Sequence, residues 1–486
     1  MGDSPGVWSI SVTESWANLG IDLHLEPAGP GLRKGLTDAL REAVRSGRLA
    51  PGTRLPSSRT LAGDLGIARN TVADAYADLV AEGHLTARQG SGTRVAEQAG
   101  PAASVPRRQR PVRVPERAGP AHDLTPGTPD LSAFPRAAWL KAARRALTAA
   151  PNDAFGYGDP RGRPELRAAL AEYLARVRGV AADPERIVVC AGVAHGLKLV
   201  TEVLAARAGH GGRQGPGTVA VETYGLRFHR EWLAEEGVGT VPLPFDAEGT
   251  DPAGLGGERA VLLTPTHQFP MGGTLSPARR AAVVDWARRT GGLILEDDYD
   301  GEFRHDRRPV GALQGLAPDR VAYFGTASKA LAPGLRLGWL VLPPGLVDEV
   351  LAAKGYADTC GAPDQLTLAE FLSSGAYDRQ VRLMRLRYRR RRDEMVATLA
   401  RRAPSVRVGG IAAGLHAVLL LPSGTESEVL RAAAWHGLGV QGLSWFRHPD
   451  AEAAGRPAPE GLVIGYGRPP DHAWQSALET LCRCLP

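Results

Sequence analysis

Lysine is scarce in this chain, and one lysine sits where an amine could do covalent chemistry. Of 58 basic residues only five are lysines: Lys34, Lys141, Lys198, Lys329 and Lys354. Arginine carries positive charge everywhere else. An amine can lose its proton and form a Schiff base with an aldehyde, whereas a guanidinium effectively never deprotonates. Lys329 lies in GTASKALAPGLRLG, residues 325–338. Thr326 and Ser328 offer hydroxyl donors for a phosphate, and Arg336 adds a fixed planar charge. An ordinary surface loop with a lysine would read similarly, so the assignment needs support from other stretches.

Two stretches supply it. In EDDYDGEF (296–303), Asp297 could hold a protonated pyridine nitrogen and Tyr299 could hydrogen-bond a phenolate oxygen. The run IVVCAG (187–192) reads as a strand ending in a glycine turn before the helical AHGLKLVTEVLAAR. A turn of that kind aims backbone N–H groups at an anion. Gly192, Val193 and Ala194 would form such a cup. Amine, acid and phosphate cup together describe a site for pyridoxal 5′-phosphate: the acid keeps the ring nitrogen protonated and the amine carries the aldehyde. Glu296, Asp297, Asp298 and Asp300 could also ligate a hard cation. No second ligand cluster accompanies them, so no metal is expected. His267 and Gln268, in TPTHQFPMGG (264–273), could line the pocket.

These residues need a scaffold. From Asp123 onward strands and helices alternate, which argues for an α/β fold around a largely parallel sheet. TVAVE, AVLLTP, LILEDD and VAYFG read as buried strands. Each ends in residues able to do chemistry, as expected at the carboxyl edge of such a sheet. The long basic run AYDRQVRLMRLRYRRRRDEMVATLARR, with Val381, Met384, Leu386, Tyr388 and Met395, reads as a packed helix with a solvated arginine face leading to a smaller C-terminal α+β part.

The first hundred residues have another pattern. LRKGLTDALREAVRSGRL places Leu32, Leu36, Ala39, Leu40 and Ala43 on one helical face. SSRTLAGDLG follows, capped by Ser57 or Ser58. After Gly66 comes ARNTVADAYADLVAEG, with Val72, Ala75, Tyr76 and Leu79 inward. LTARQGSGTRVAE closes as a hairpin. Helix, helix, turn, helix and wing is the layout of a winged helix-turn-helix. The third helix would present Arg69, Asn70 and Thr71 to base edges and phosphates, while Gln89 and Gly90 at the wing tip approach the backbone. A helical cap on an enzyme would share the pattern. Seven bases fall between Arg33 and Arg59, against only Asp38 and Glu42. Residues 97–122, rich in proline, alanine and arginine, read as a semi-extended linker.

Net charge is +6 and the sequence pI near 9.3, which permits nucleic-acid binding without requiring it. The 486 residues imply two or three domains. No apolar run has membrane-spanning length. MGDSPGVWSI lacks the basic flank and apolar core of a secretory signal. The four cysteines make no disulfide framework. A cytoplasmic location is expected.

PGTRLPSSRTLAGDLGIARNTVADAYADLVAEGHLTARQGSGTRV resembles the DNA-binding domain of GntR-family regulators over about residues 28–96. That resemblance implies operator contacts by Arg59 and by Arg69 to Thr71. YGDPRGRPELRAALAEYLARVRGV, TPTHQFPMGG, EDDYDGEF and GTASKALAPGLRLG resemble fold-type I aminotransferases over about residues 123–486. Together they resemble MocR-type regulators. The resemblance implies Lys329 as the Schiff-base lysine, Asp297 on the pyridine nitrogen, Tyr299 near the ring hydroxyl, and Thr326, Ser328 and Arg336 at the phosphate. Tyr157 matches a tyrosine that reaches a neighbouring subunit's phosphate in dimeric aminotransferases. The expected molecule is a homodimeric, PLP-dependent regulator that binds operator DNA and senses PLP, an amine or an amino acid. It would have residual or no transaminase activity. The alternative is an aminotransferase with a fused DNA-binding cap.

Three departures stand out. The phosphate turn reads Gly192-Val193-Ala194-His195, without the side-chain donors usual there. In ETYGL (222–226), Leu226 falls where an aromatic residue would stack on the ring, with Tyr224 nearby. In GLVIGYGRPP the arginine that would clamp a carboxylate, Arg468, is shifted.

Overall fold

The computed structural model describes residues 31–88, 92–97, 119–210, 217–305, 310–355, 360–454 and 458–486. Gln89 and Gly90 of the wing tip and residues 98–118 of the linker lie outside the described residues. The chain divides into two units, Met1–Arg117 and Ala118–Pro486.

The first unit is built by three helices, α1 (Leu32–Arg45), α2 (Ser58–Leu65) and α3 (Arg69–Ala81), and an antiparallel pair, β1 (Leu85–Arg88) and β2 (Gly92–Val95). Its core joins Leu36, Leu40, Ala43 and Val44 of α1 to Leu61 and Leu65 of α2 and Val72, Tyr76 and Leu79 of α3. Each fully buried leucine stabilises by about 1.5–3 kcal/mol relative to exposure. Leu32, expected on this inner face, is exposed instead, because it opens the helix beyond the reach of its partners. The Ser57 hydroxyl accepts from Thr60 N at 3.1 Å and caps α2. Gly66 ends that helix at φ 64°, the left-handed conformation the turn requires. Two of the seven clustered bases tie α1 to α3 or its end through ion pairs: Arg33 bonds Asp78, and Arg41 bonds Glu82.

The second unit centres on a seven-stranded sheet. Its order is Ile187–Cys190, Gly338–Val341, Val321–Thr326, Leu293–Asp297, Ala260–Leu263, Thr218–Glu222, Gly239–Leu243. Only Gly338–Val341 runs antiparallel to its neighbours. The central strands are buried along their whole length, which is why they read as unbroken apolar runs. A four-stranded sheet, including Ala417–Leu420 and Gly461–Ile464, forms the smaller C-terminal part.

The basic run forms one helix, Ala376–Arg402. Val381, Met384, Tyr388 and Met395 are buried as expected, but Leu386 is exposed. Arg391 reverses the expectation of a solvated face: it is fully buried, donating to Tyr466 O and Gly467 O and pairing with Asp471. Spacing distinguishes inner from outer positions, but it does not show which charged residue will find internal acceptors. Cys482 and Cys484 are buried in the terminal helix Trp474–Cys484.

Candidate functional site: a half-buried lysine near an unpaired carboxylate

Parallel strands deliver their carboxyl ends to one edge, and the chemistry gathers there. The strand Leu293–Asp297 ends on Asp297, and the neighbouring strand Val321–Thr326 leads directly into Lys329. Lys329 is half-buried, and its Nζ donates to the carbonyl of Gly127. Burial pushes its pKa down, with Asp297 and Asp300 opposing that shift. Asp297 is pushed up to about 7 by desolvation, which the Lys329 charge only partly offsets. Its Oδ1 is buried without a hydrogen-bond partner among the described residues. An unsatisfied buried carboxylate oxygen is costly. A protonated ring nitrogen is the type of donor that would satisfy it.

The anion cup is equally local. The helix Val193–His210 begins after Gly192, which takes φ 85°. The first N–H groups of a helix have no intrahelical acceptor, so those of Val193 and Ala194 are available to a bound anion. Arg336 reaches the same turn: its guanidinium donates to Ala191 O at 2.6 Å, and its own backbone is at φ 53°. Across the sheet edge, a Cβ on Gly338 would lie 2.8 Å from the Gly192 Cα, so that close approach requires glycine. Thr326 pairs in register with Gly338, and its hydroxyl donates to Ser328 Oγ at 2.8 Å. Gly192, Thr326, Ser328 and Arg336 therefore come together around one small volume.

Tyr299 lies beside this group. Its hydroxyl is 3.1 Å from both His267 Nδ1 and His267 O, and His267 Nδ1 is 2.8 Å from Asp300 Oδ2. His267, Asp300 and His416 place ligand-capable atoms within 4.8 Å of one another. The rings of His267 and His416 pack at a 5.0 Å centroid distance with a 37° tilt, and His416 Nε2 is 3.2 Å from Pro270 O. Tyr157 is not brought to this group; it is fully exposed on the single chain.

The departures seen in the sequence have structural counterparts. Tyr224 packs into an apolar cluster with Phe269, Val418, Leu443, Phe446 and Val463, against which Leu226 and Tyr299 also pack. Arg468 pairs with Asp123 at 2.6 Å. Sequence reasoning missed three participants: the Gly127 carbonyl, Asp123, and Glu222, a buried acid pushed up to about 7 by desolvation. Glu222 was legible as a polar residue closing an apolar strand. The Gly127 carbonyl had no such signal, because its partner is 202 positions away.

In the first unit, Arg69 and Asn70 are exposed in the opening turn of α3, with Thr71 half-buried beside them. Arg59 is exposed on α2. Among the described residues no hydrogen bond or ion pair engages the side chains of Arg59 or Arg69, so both are free to meet phosphates or base edges.

Comparison with known proteins agrees with this division. Residues 32–95 match the gntR family of bacterial regulatory proteins, and residues 123–447 match aminotransferase class I and II. The chain is 34% identical over 436 residues to the HTH-type pyridoxine biosynthesis transcriptional regulator PdxR of Corynebacterium glutamicum, covering 89% of this chain and 91% of that one. It is 33% identical over 466 residues to the probable rhizopine catabolism regulatory protein MocR of Rhizobium meliloti, covering 90% of each. Among solved structures, an archaeal alanine:glyoxylate aminotransferase superposes with a TM-score of 0.65 at 25% identity, over 74% of this chain and 90% of that one. The multiple substrate aminotransferase of Thermococcus profundus superposes with a TM-score of 0.66 at 24% identity, over 76% and 92%, and supports the fold alone.

Proposed function

Because the chain belongs to the GntR-family transcriptional regulators of MocR type, a DNA-binding head joined to an aminotransferase-like domain, we propose that it holds pyridoxal 5′-phosphate on Lys329 and regulates transcription in response to PLP, an amine or an amino acid. The observation that carries this reading is a half-buried lysine, its pKa lowered, near a buried carboxylate whose Oδ1 lacks a hydrogen-bond partner among the described residues. When bound, the cofactor supplies an aldehyde and an electron-withdrawing ring. The chain's part is to bind and orient it. Asp297 would hold the ring nitrogen, and Tyr299 the ring hydroxyl. The N–H groups of Val193 and Ala194, with Thr326, Ser328 and Arg336, would hold the phosphate at the Gly192 turn. Lys329 has a depressed pKa, so a larger share of it is the neutral amine that can attack a carbonyl.

The head would read operator DNA through Arg59, Arg69, Asn70 and Thr71, with Gln89 and Gly90 at the wing. A ligand in the second unit changes DNA affinity only as far as it binds one DNA-competence state better than the other. A homodimer is supported by the apolar side chains left exposed on one stretch of the second unit, Leu131, Leu140 and Phe155, together with Tyr157. In a dimer Tyr157 would extend to the second copy's phosphate group. Among the described residues no helix is long and apolar enough to cross a membrane, consistent with action on cytoplasmic DNA.

Borohydride reduction of the protein mixed with PLP, followed by peptide mass spectrometry, tests the assignment. The label is expected on Lys329 alone, and Lys329→Ala is expected to lose both label and visible absorption while still binding operator DNA. A label elsewhere rejects the site. The same amine, acid and cup would also serve a working transaminase; sustained turnover of an amino acid with a keto acid would favour that second reading.

A further inference from the structure

The second unit has a cleft of about 440 Å³, a volume in the range of small-molecule sites. Neither Lys329 nor any residue of the Gly192 turn lines it. One wall is the helix Ala376–Arg402. Its Arg382, Arg385 and Arg389 recur at spacings of three and four, which puts them on one helical face. Leu386 of the same helix is exposed there, and with Val177 it gives the cleft an apolar patch. Another wall comes from the segment Gly301–His305, which directly follows the residues proposed to hold the cofactor ring.

The charges around this cleft do not cancel. Arg382 is exposed and has no hydrogen bond or ion pair with any described residue. Arg385 donates from Nε and Nη2 to Glu302 O at 3.0 and 2.7 Å. That contact fixes the guanidinium but leaves its charge, because a carbonyl neutralises nothing. Arg389 has Asp393 at 3.7 Å, with both side chains exposed, so the pair is weak. Arg304 donates to Thr274 Oγ1 at 2.9 Å. Burial pushes His305 down to about 4, so it adds no charge near neutral pH. Arg178 is neutralised by Asp298. Among the described residues Glu302 is the acid that lines the cleft, and its Oε1 accepts from the hydroxyls of Tyr173 and Tyr377 at 2.8 and 3.1 Å. Guanidiniums outnumber carboxylates here, next to hydrocarbon. Like charges gathered around a recess repel, and an anion with several acceptor oxygens relieves them through charge-assisted hydrogen bonds.

We propose that this cleft is a second ligand site, separate from the one around Lys329, and that it takes a small organic phosphate, with the phosphate on Arg382, Arg385 and Arg389 and the apolar body against Leu386 and Val177. A phosphate carries more charge than a single carboxylate and offers three acceptor oxygens, which suits three guanidiniums. A recess of this size admits a small molecule and not a DNA duplex. The inference goes beyond the function proposed above and does not depend on it.

Phenyl phosphate is the probe, with benzoate and benzyl alcohol as the weaker anion and the uncharged body. Each is titrated by calorimetry into the full-length protein after PLP and borohydride treatment, so that the Gly192 turn is occupied if it is the cofactor's phosphate site. One equivalent of phenyl phosphate is expected to bind, at least about tenfold tighter than benzoate, and benzyl alcohol is expected to give no saturable heat. The exposed pair of changes Arg382→Gln with Arg389→Gln is expected to weaken phenyl phosphate by at least about tenfold. Leu386→Glu, which sets a carboxylate in the apolar patch, is expected to weaken it as well. No saturation in the millimolar range by the unaltered protein overturns the proposal, as does benzoate binding equally well. Binding that survives the double change but is lost in Arg336→Ala places the probe at the Gly192 turn and overturns it too. In phosphate-free buffer the double variant is expected to keep its operator affinity by gel shift; a loss there would assign these arginines to DNA and reject the small-molecule site.

Discussion

The two units use charge in opposite ways. In the DNA-reading head the arginines proposed to function, Arg59 and Arg69, are exposed and, among the described residues, uncommitted, and ion pairs such as Arg33–Asp78 and Arg41–Glu82 lie at the surface. In the aminotransferase-like unit the acids at the centre of the proposed site are dry, while Arg336 and Tyr157 stand exposed. Asp297 is buried and Lys329 half-buried, and the Arg178–Asp298 pair is almost fully excluded from solvent. The difference follows from the partners. Phosphates are met by solvated cations that displace counterions, so nothing is gained by burying them beforehand. An amine that must be neutral near pH 7 needs desolvation to shift it. One unit therefore keeps its functional charges at little structural cost, while the other carries them against its own stability.

The strongest way to break this contrast is to remove a buried partner. Arg178→Ala leaves Asp298, Thr266 Oγ1 and Val310 O without their donor and is expected to cost about 3–5 kcal/mol. Hydrogen exchange should show the loss throughout the second unit and not in α1 to α3; equal loosening of the head would refute the separation. Next in size is the acid that the site keeps at a cost. Asp297 has a folded pKa raised to about 7 from 3.8, so the folded state holds a proton that the unfolded chain has released. Its contribution is intact below about pH 4 and is lost as pH rises toward 7. In cofactor-free protein, Asp297→Asn is therefore expected to match the unaltered chain near pH 4 and to exceed it by on the order of 3 kcal/mol at pH 8. Denaturant melts across that range check the sign, and an advantage that shrinks with rising pH would contradict it.

Smaller effects belong to the head. Arg69→Ala is expected to weaken operator binding by about 1–3 kcal/mol while leaving the visible spectrum of the PLP-loaded protein unchanged. Gel shift and absorbance on one preparation test both halves, and a changed spectrum would blur the two regimes. Ser57→Ala removes the acceptor that caps α2 and is expected to lower the head's stability by about 1 kcal/mol, measurable by thermal denaturation.

Legibility in the sequence followed the same division. The head was readable almost residue by residue: Val72, Ala75, Tyr76 and Leu79 face inward as their spacing predicts, and Ser57 caps α2. Its contacts are local, and local periodicity records them. In the second unit, the motif residues at the strand ends were readable because each closes an apolar run. The pairings that complete them were not. Lys329 meets Gly127, Arg468 meets Asp123, and Arg391 meets Asp471. Nothing in local composition marks which of many arginines will turn inward, and Tyr157 carried a strong motif yet stands exposed on the single chain. Side chains whose partners are distant in sequence are placed by the sheet's topology, which the one-dimensional pattern leaves open.

The contact between Gly192 and Gly338 has a consequence for interpreting sites of this shape. Gly338 is held to hydrogen by the backbones of Gly192 and Gly325, and Gly192 is favoured as glycine by its own φ of 85°, whatever binds there. A descendant that never turned over a molecule would still be unable to place a methyl group at position 338 without prising the backbones apart. The persistence of the hollow thus testifies to how the sheet is stacked; evidence for chemistry must come from the amine and the acid, which the architecture could spare.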